Sequence, residues 1–202
     1  MSIKPVHKPS YYVVNAITLY RLLAAPLLLI LLFSGHLAVF KWLLMVSFLT
    51  DAIDGYLARK YQVTSIFGSI LDSVSDDLTI AVAILGIMLV NPEFLRKELT
   101  LVMVQVLLFI TQICFALIRY HKISSFHTYL AKFVTISQGI FLVLFYWLPE
   151  PVYMLFYAVS TLTILDLLEE TVLVLVIPQW ETDVKGLYWV IKNGSSKKPR
   201  QP

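Results

Sequence analysis

Apolar runs alternate with short polar breaks along the whole chain, at about 12–33, 37–57, 66–90, 99–118, 129–148 and 152–177. A helix needs about 20 predominantly apolar residues to cross roughly 30 Å of hydrocarbon. The pattern therefore predicts an all-α polytopic membrane protein with six transmembrane helices. Ser34-Gly35-His36, Asn91-Pro92-Glu93 and Pro149-Glu150-Pro151 are turn signals between runs. No solenoid or propeller period is present. Arg21 interrupts the first run and no clean small-residue cleavage site follows it, so an uncleaved helix is expected rather than a signal peptide. Pro178 ends the last run, and Trp180 suits a membrane interface. Residues 183–193 are expected to lie along the membrane surface, with a disordered tail from 194. The organisation expected is a polar arm over 1–10, a membrane domain over 11–178 and a tail over 179–202.

Composition supports lipid as the main solvent. Of 202 residues, 58% are hydrophobic and 14% charged, against about 45–50% and about 25% in soluble domains. Such a chain is not disordered. Cys114 is its single cysteine, which excludes a disulfide scaffold. A net charge of +3 without a basic stripe gives no reason to expect nucleic acid. With six spans, eleven Lys and Arg fall on the side of the termini and two, Arg96 and Lys97, on the other. That asymmetry places both termini in the cytoplasm, the membrane being the inner one if the source is bacterial.

Charges inside spans are costly and usually functional. Asp51 and Asp54 close the second run; Asp72, Asp76 and Asp77 open the third. Asp51 and Asp54 are three apart and Asp72 and Asp76 four apart, so each pair shares a helix face. A short connection makes the two helices antiparallel neighbours, and four carboxylates can converge between them. That much negative charge needs protons or cations. Oxygen donors without His or Cys suit Mg²⁺ or Mn²⁺ rather than zinc, and bridging carboxylates allow two ions. Gly55, Ala58 and Gly68 leave backbone open beside the carboxylates, and Arg59 offers a fork for phosphate oxygens. Together these features fit a pyrophosphate substrate better than an ion pathway. A proton- or ion-coupled carrier using the same carboxylates, and a catalytically silent membrane scaffold, are the competing readings.

Written out, Asp51-x2-Asp54-Gly55-x2-Ala58-Arg59-x8-Gly68-x3-Asp72-x3-Asp76 resembles, at every defined position, the signature of the CDP-alcohol phosphatidyltransferase family. The resemblance implies transfer of a phosphatidyl group from CDP-diacylglycerol to an alcohol, with release of CMP. It implies that Asp51, Asp54 and Asp72 ligate metal, and that Asp76 ligates metal and acts as general base. Gly55, Ala58 and Gly68 would line the cytidine, and Arg59 would meet the phosphates. It also implies a homodimer among membrane lipids.

The acceptor is less defined. Asn15-x2-Thr18-x2-Arg21, followed by Pro26, resembles the first helix of phosphatidylglycerophosphate and cardiolipin synthases. Lys132-x2-Thr135-x2-Gln138 resembles part of a fifth-helix motif of the former, with Val134 replacing its second lysine. Ser73 and Asp77 depart from those enzymes, whereas Ser65-x-Phe67-Gly68-x2-Leu71-Asp72-Ser73 resembles phosphatidylserine synthases. Arg119 and Lys132 are candidates to bind a phosphorylated acceptor, which favours glycerol 3-phosphate or an inositol phosphate slightly over serine. The last run adds Asp166, Glu169 and Glu170. Spacing puts Asp166 and Glu170 on one face and Glu169 on another. Pairing with Lys132 or Arg119, binding of an acceptor amine and interfacial placement are all open to them.

Overall fold

The computed structural model describes residues 9–61, 66–124, 126–181 and 184–192, with the side chains of 9–18, 21, 51, 52, 54–61, 66–70, 72 and 73 outside the described ones. Its elements are α1 (Pro9–Phe33), α2 (Leu37–Tyr61), α3 (Ile66–Val90), α4 (Pro92–Tyr120), α5 (Tyr129–Trp147), α6 (Tyr153–Val176) and α7 (Leu187–Lys192). There is no strand among the described residues, so the all-α expectation holds. Among them, α4 and α5 are long and apolar enough to cross a membrane; Leu22–Phe33 and Leu37–Thr50 are shorter apolar stretches. The expected tail from 194 and most of the N-terminal arm lie outside the described residues, and Pro9 and Ser10 already belong to α1.

Helix ends follow local chemistry more closely than apolarity. Residues 92–98 are mostly polar, yet α4 begins at Pro92, whose missing N–H costs nothing at a first turn. Glu93 in that turn and Arg119 in the last complement the helix dipole. α1 ends in a left-handed Gly35, φ 73°. The Gly35 N–H donates to the Leu32 carbonyl at 3.2 Å and that of His36 to the Leu31 carbonyl at 3.0 Å, which satisfies the last carbonyls of the helix. His121 closes α4 in the same left-handed region, φ 54°, at a conformational cost that glycine would avoid.

The chain divides into two compact units, residues 1–92 with 142–149, and residues 93–141 with 150–202. In the first, among the described residues, α1 packs along both α2 and α3, and α2 and α3 approach each other over a shorter stretch. Ala24, Ala25 and Ala83 are buried there, small residues that let helices come close. Tyr146, from the end of α5, is buried against α3: its hydroxyl donates to the Ala83 carbonyl at 2.5 Å, and its ring stands edge-on to Phe40 at 5.1 Å. Gly86 makes room for it, because a Cβ at that position would collide with the Tyr146 hydroxyl.

The second unit has two packing centres. Phe94, Phe141 and Phe156 cluster with ring centroids 5.1 to 6.4 Å apart. The other centre gathers Ala116, Tyr120, Phe126, Leu173, Val174, Ile177 and Val184. Here the Tyr120 hydroxyl lies 3.1 Å from the Val174 carbonyl and 2.7 Å from that of Ile177, serving acceptors that the end of α6 leaves open.

Candidate active site

Asp51, Asp54, Gly55, Ala58 and Arg59 lie in the last turns of α2; Gly68, Asp72 and Asp76 lie in the first turns of α3. The side chains of all but Asp76 are outside the described ones. Helical register relates Asp76 to a face that is described. On α3 the buried stripe is Ser75, Thr79, Val82, Ala83 and Ile87. A step of three from Thr79 reaches Asp76. Asp76 is accordingly half-buried. On α2 the described buried stripe is Phe40, Leu44 and Ser47.

Polar groups missed by the sequence reading line these stripes. The Ser75 hydroxyl donates to the Leu71 carbonyl and that of Thr79 to the Ser75 carbonyl, each at 2.8 Å. Both are therefore satisfied within α3 despite full burial. Ser47 differs: it is 2% exposed and its Oγ has no partner. It sits one turn before Asp51. The signal that could have found all three is their helical spacing from the aspartates, which is visible once the buried face is known.

Carboxylates at 51, 54, 72 and 76 make an all-oxygen donor set, which fits a hard divalent cation. Among the described residues, no group of three or more His, Cys, Asp or Glu is arranged to hold a metal. Three of the four carboxylates lie outside that set.

In the second unit Arg119 is exposed in the last turn of α4 and Lys132 is half-buried in the first turn of α5, its Nζ 5.9 Å from the Tyr129 ring centroid. Gln138 donates from Nε2 to the Thr163 hydroxyl at 2.9 Å, so that end of the fifth-helix motif joins α5 to α6. Val134, where the resembling motif has lysine, is 3% exposed, an environment that suits valine.

Glu169 and Glu170 of α6 join separate parts of the second unit, each to different partners. Glu169 Oε1 accepts the Leu187 N–H at 2.8 Å and its Oε2 the Thr128 hydroxyl at 3.3 Å. Thr128 Oγ1 in turn accepts the Ala131 N–H at 3.0 Å and caps α5. Glu170 accepts from Gln112 Nε2 at 3.0 Å. Asp166 is buried, and its Oδ1 has no partner.

Comparison with known sequences agrees with the motif. The chain is 33% identical over 90 residues (40% of it) to a cardiolipin synthase (CMP-forming)/mitochondrial hydrolase fusion protein of Schizosaccharomyces pombe. It is 39% identical over 66 residues (33% of it) to CDP-diacylglycerol–inositol 3-phosphatidyltransferase of Saccharomyces cerevisiae. It is 35% identical over 74 residues (35% of it) to CDP-diacylglycerol–glycerol-3-phosphate 3-phosphatidyltransferase of Cereibacter sphaeroides. These matches span 15%, 30% and 34% of the respective relatives. No solved structure matches significantly. The family model, by contrast, extends over residues 11–176, from the start of α1 to the end of α6. With the aspartate motif lying inside that range, the chain belongs to the CDP-alcohol phosphatidyltransferase family.

Proposed function

We propose that the protein is a six-span membrane enzyme that moves a phosphatidyl group from CDP-diacylglycerol to an alcohol and releases CMP. Both termini would be cytoplasmic and the assembly a homodimer. The observation that supports the reading is the motif over 51–76, whose segments fall in the end of α2 and the start of α3, with Asp76 one turn before the buried Thr79.

In this reading Asp51, Asp54, Asp72 and Asp76 hold one or two divalent cations, Mg²⁺ or Mn²⁺. Bound there, such a cation would offset the charge of the diphosphate and of the departing CMP. Arg59 binds the phosphates through its fork. Gly55, Ala58 and Gly68 leave space for the nucleotide. The acceptor oxygen forms a bond to the phosphatidyl phosphorus, and the bond from that phosphorus to the bridging oxygen breaks. CMP leaves with the electron pair. The Asp76 carboxylate takes the proton of the acceptor hydroxyl, a role set by its position more than by its basicity. Glycerol 3-phosphate is the proposed acceptor, because Lys132 and Arg119 supply cationic groups suited to a phosphate.

The test is CMP release by purified protein in detergent with CDP-diacylglycerol, Mg²⁺ or Mn²⁺, and glycerol 3-phosphate, serine, inositol, inositol phosphate or phosphatidylglycerol. Release with glycerol 3-phosphate, lowered roughly 10²- to 10⁴-fold in Asp76→Asn, is expected. Folded protein that releases no CMP with any acceptor would sink the enzymatic reading and favour a carrier or scaffold.

A further inference from the structure

The short helix α7 has two unlike sides. Leu187 and Val190 pack inward on the centre formed by Tyr120, Phe126 and Val174. Tyr188, Trp189 and Ile191 face outward, 62%, 40% and 67% exposed. The segment is held firmly. Trp180 Nε1 donates to the Ile123 carbonyl at 3.0 Å, the Val184 N–H to the Phe126 carbonyl at 2.7 Å, and Glu169 takes the Leu187 N–H. Its outward apolar side is thus a fixed surface rather than a frayed end.

Cations stand among these aromatics. Lys122 Nζ lies 5.0 Å from the Trp180 ring centroid and Lys192 Nζ 5.6 Å from that of Tyr188. Lys185 is exposed between them in sequence, and Tyr129 packs edge-on to Trp189 at 5.5 Å. The acids of the segment are Glu181 and, outside the described set, Asp183. Residues 193–202, outside the described set, add Lys197, Lys198 and Arg200 and no acid. Aromatic rings with lysines at their edges match the boundary between acyl chains and negatively charged headgroups.

We propose that the outward side of α7, with Lys122, Lys185 and Lys192, is a contact surface for anionic lipid headgroups. Aromatic side chains enter the headgroup boundary and the lysines select negative charge. Glu169 joins this surface to Thr128, and so to the first turn of α5 that carries Lys132.

The test uses the full chain with Trp42→Phe and Trp147→Phe, which leaves Trp180 and Trp189 as reporters. It is reconstituted in phosphatidylcholine vesicles containing equal mole fractions of brominated phosphatidylglycerol or brominated phosphatidylcholine. Brominated phosphatidylglycerol should quench the stronger, with a preference that falls roughly fivefold per lysine removed in Lys185→Gln and Lys192→Gln. Quenching by brominated phosphatidylcholine should persist in those variants, showing that the segment stays seated. Equal quenching by both lipids would reduce α7 to an apolar anchor and overturn the proposal. Absence of quenching by either, or a preference that survives removal of both lysines, would overturn it too.

Discussion

Replacing Gly86 by alanine probes how α3, the helix carrying Asp72 and Asp76, is set against its neighbours. A Cβ at 86 would strike the Tyr146 hydroxyl and stand 3.2 Å from Tyr146 Cζ and 3.3 Å from Leu32 Cδ1. Tyr146 cannot easily yield. It is 3% exposed, bonded to the Ala83 carbonyl and wedged against Phe40. Overpacking of this kind costs about 1–3 kcal/mol. Loss of the tyrosine hydrogen bond adds about 1 kcal/mol. Alanine returns about 1 kcal/mol through its better helix propensity. Gly86→Ala should therefore destabilise by about 1–3 kcal/mol, a fall in apparent Tm of roughly 2–4 °C per kcal/mol for a chain of this size. The decisive comparison is the Tyr146→Phe background. Removing the hydroxyl removes the collision and leaves contacts that need shift only by tenths of an ångström. Gly86→Ala should cost at least about 1 kcal/mol less there, a coupling that a double-mutant cycle resolves. Thermal unfolding in detergent, read by the fraction of monodisperse protein surviving each temperature, provides the assay. A Gly86→Ala protein as stable as the parent would refute the reasoning, as would a cost unchanged by Tyr146→Phe.

Three other perturbations test the second unit. Glu169→Ala strands the Leu187 N–H and the Thr128 hydroxyl, each bonded to a charged acceptor worth about 1.5–3 kcal/mol; tryptic cleavage at Lys185 should accelerate, and an unchanged rate would show that Glu169 does not hold α7. Tyr120→Phe should lower stability by about 1 kcal/mol, because the carbonyls of Val174 and Ile177 lose their shared donor; no loss on thermal unfolding would mean that water replaces the hydroxyl. Lys132→Met should raise the KM for glycerol 3-phosphate about tenfold or more while leaving that for CDP-diacylglycerol unchanged; equal effects on both substrates would make the lysine structural.

The sequence by itself determined the all-helical class and the family whose motif it carries. Apolar run length is a local property, and so is the turn at Gly35. The aspartate motif is legible for the same reason: its spacings of three and four residues have meaning on a single helix, whatever surrounds it. Apolarity was a poorer guide to the ends of α4, because capping and dipole effects at Pro92, Glu93 and Arg119 extend a helix beyond its apolar centre.

Tertiary structure decided what depends on residues far apart in the chain. No local pattern reveals that Gly86 is small to admit Tyr146, which also bonds to Ala83 across 63 positions. The acidic trio of α6 showed only its spacing. Glu169 holds α7, which begins 18 residues later, and Glu170 meets Gln112 across 58. A carboxylate in an apolar helix signals that some partner must offset its burial. Which partner does so depends on how separate helices pack: that packing brings a backbone N–H and a hydroxyl to Glu169 and an amide to Glu170.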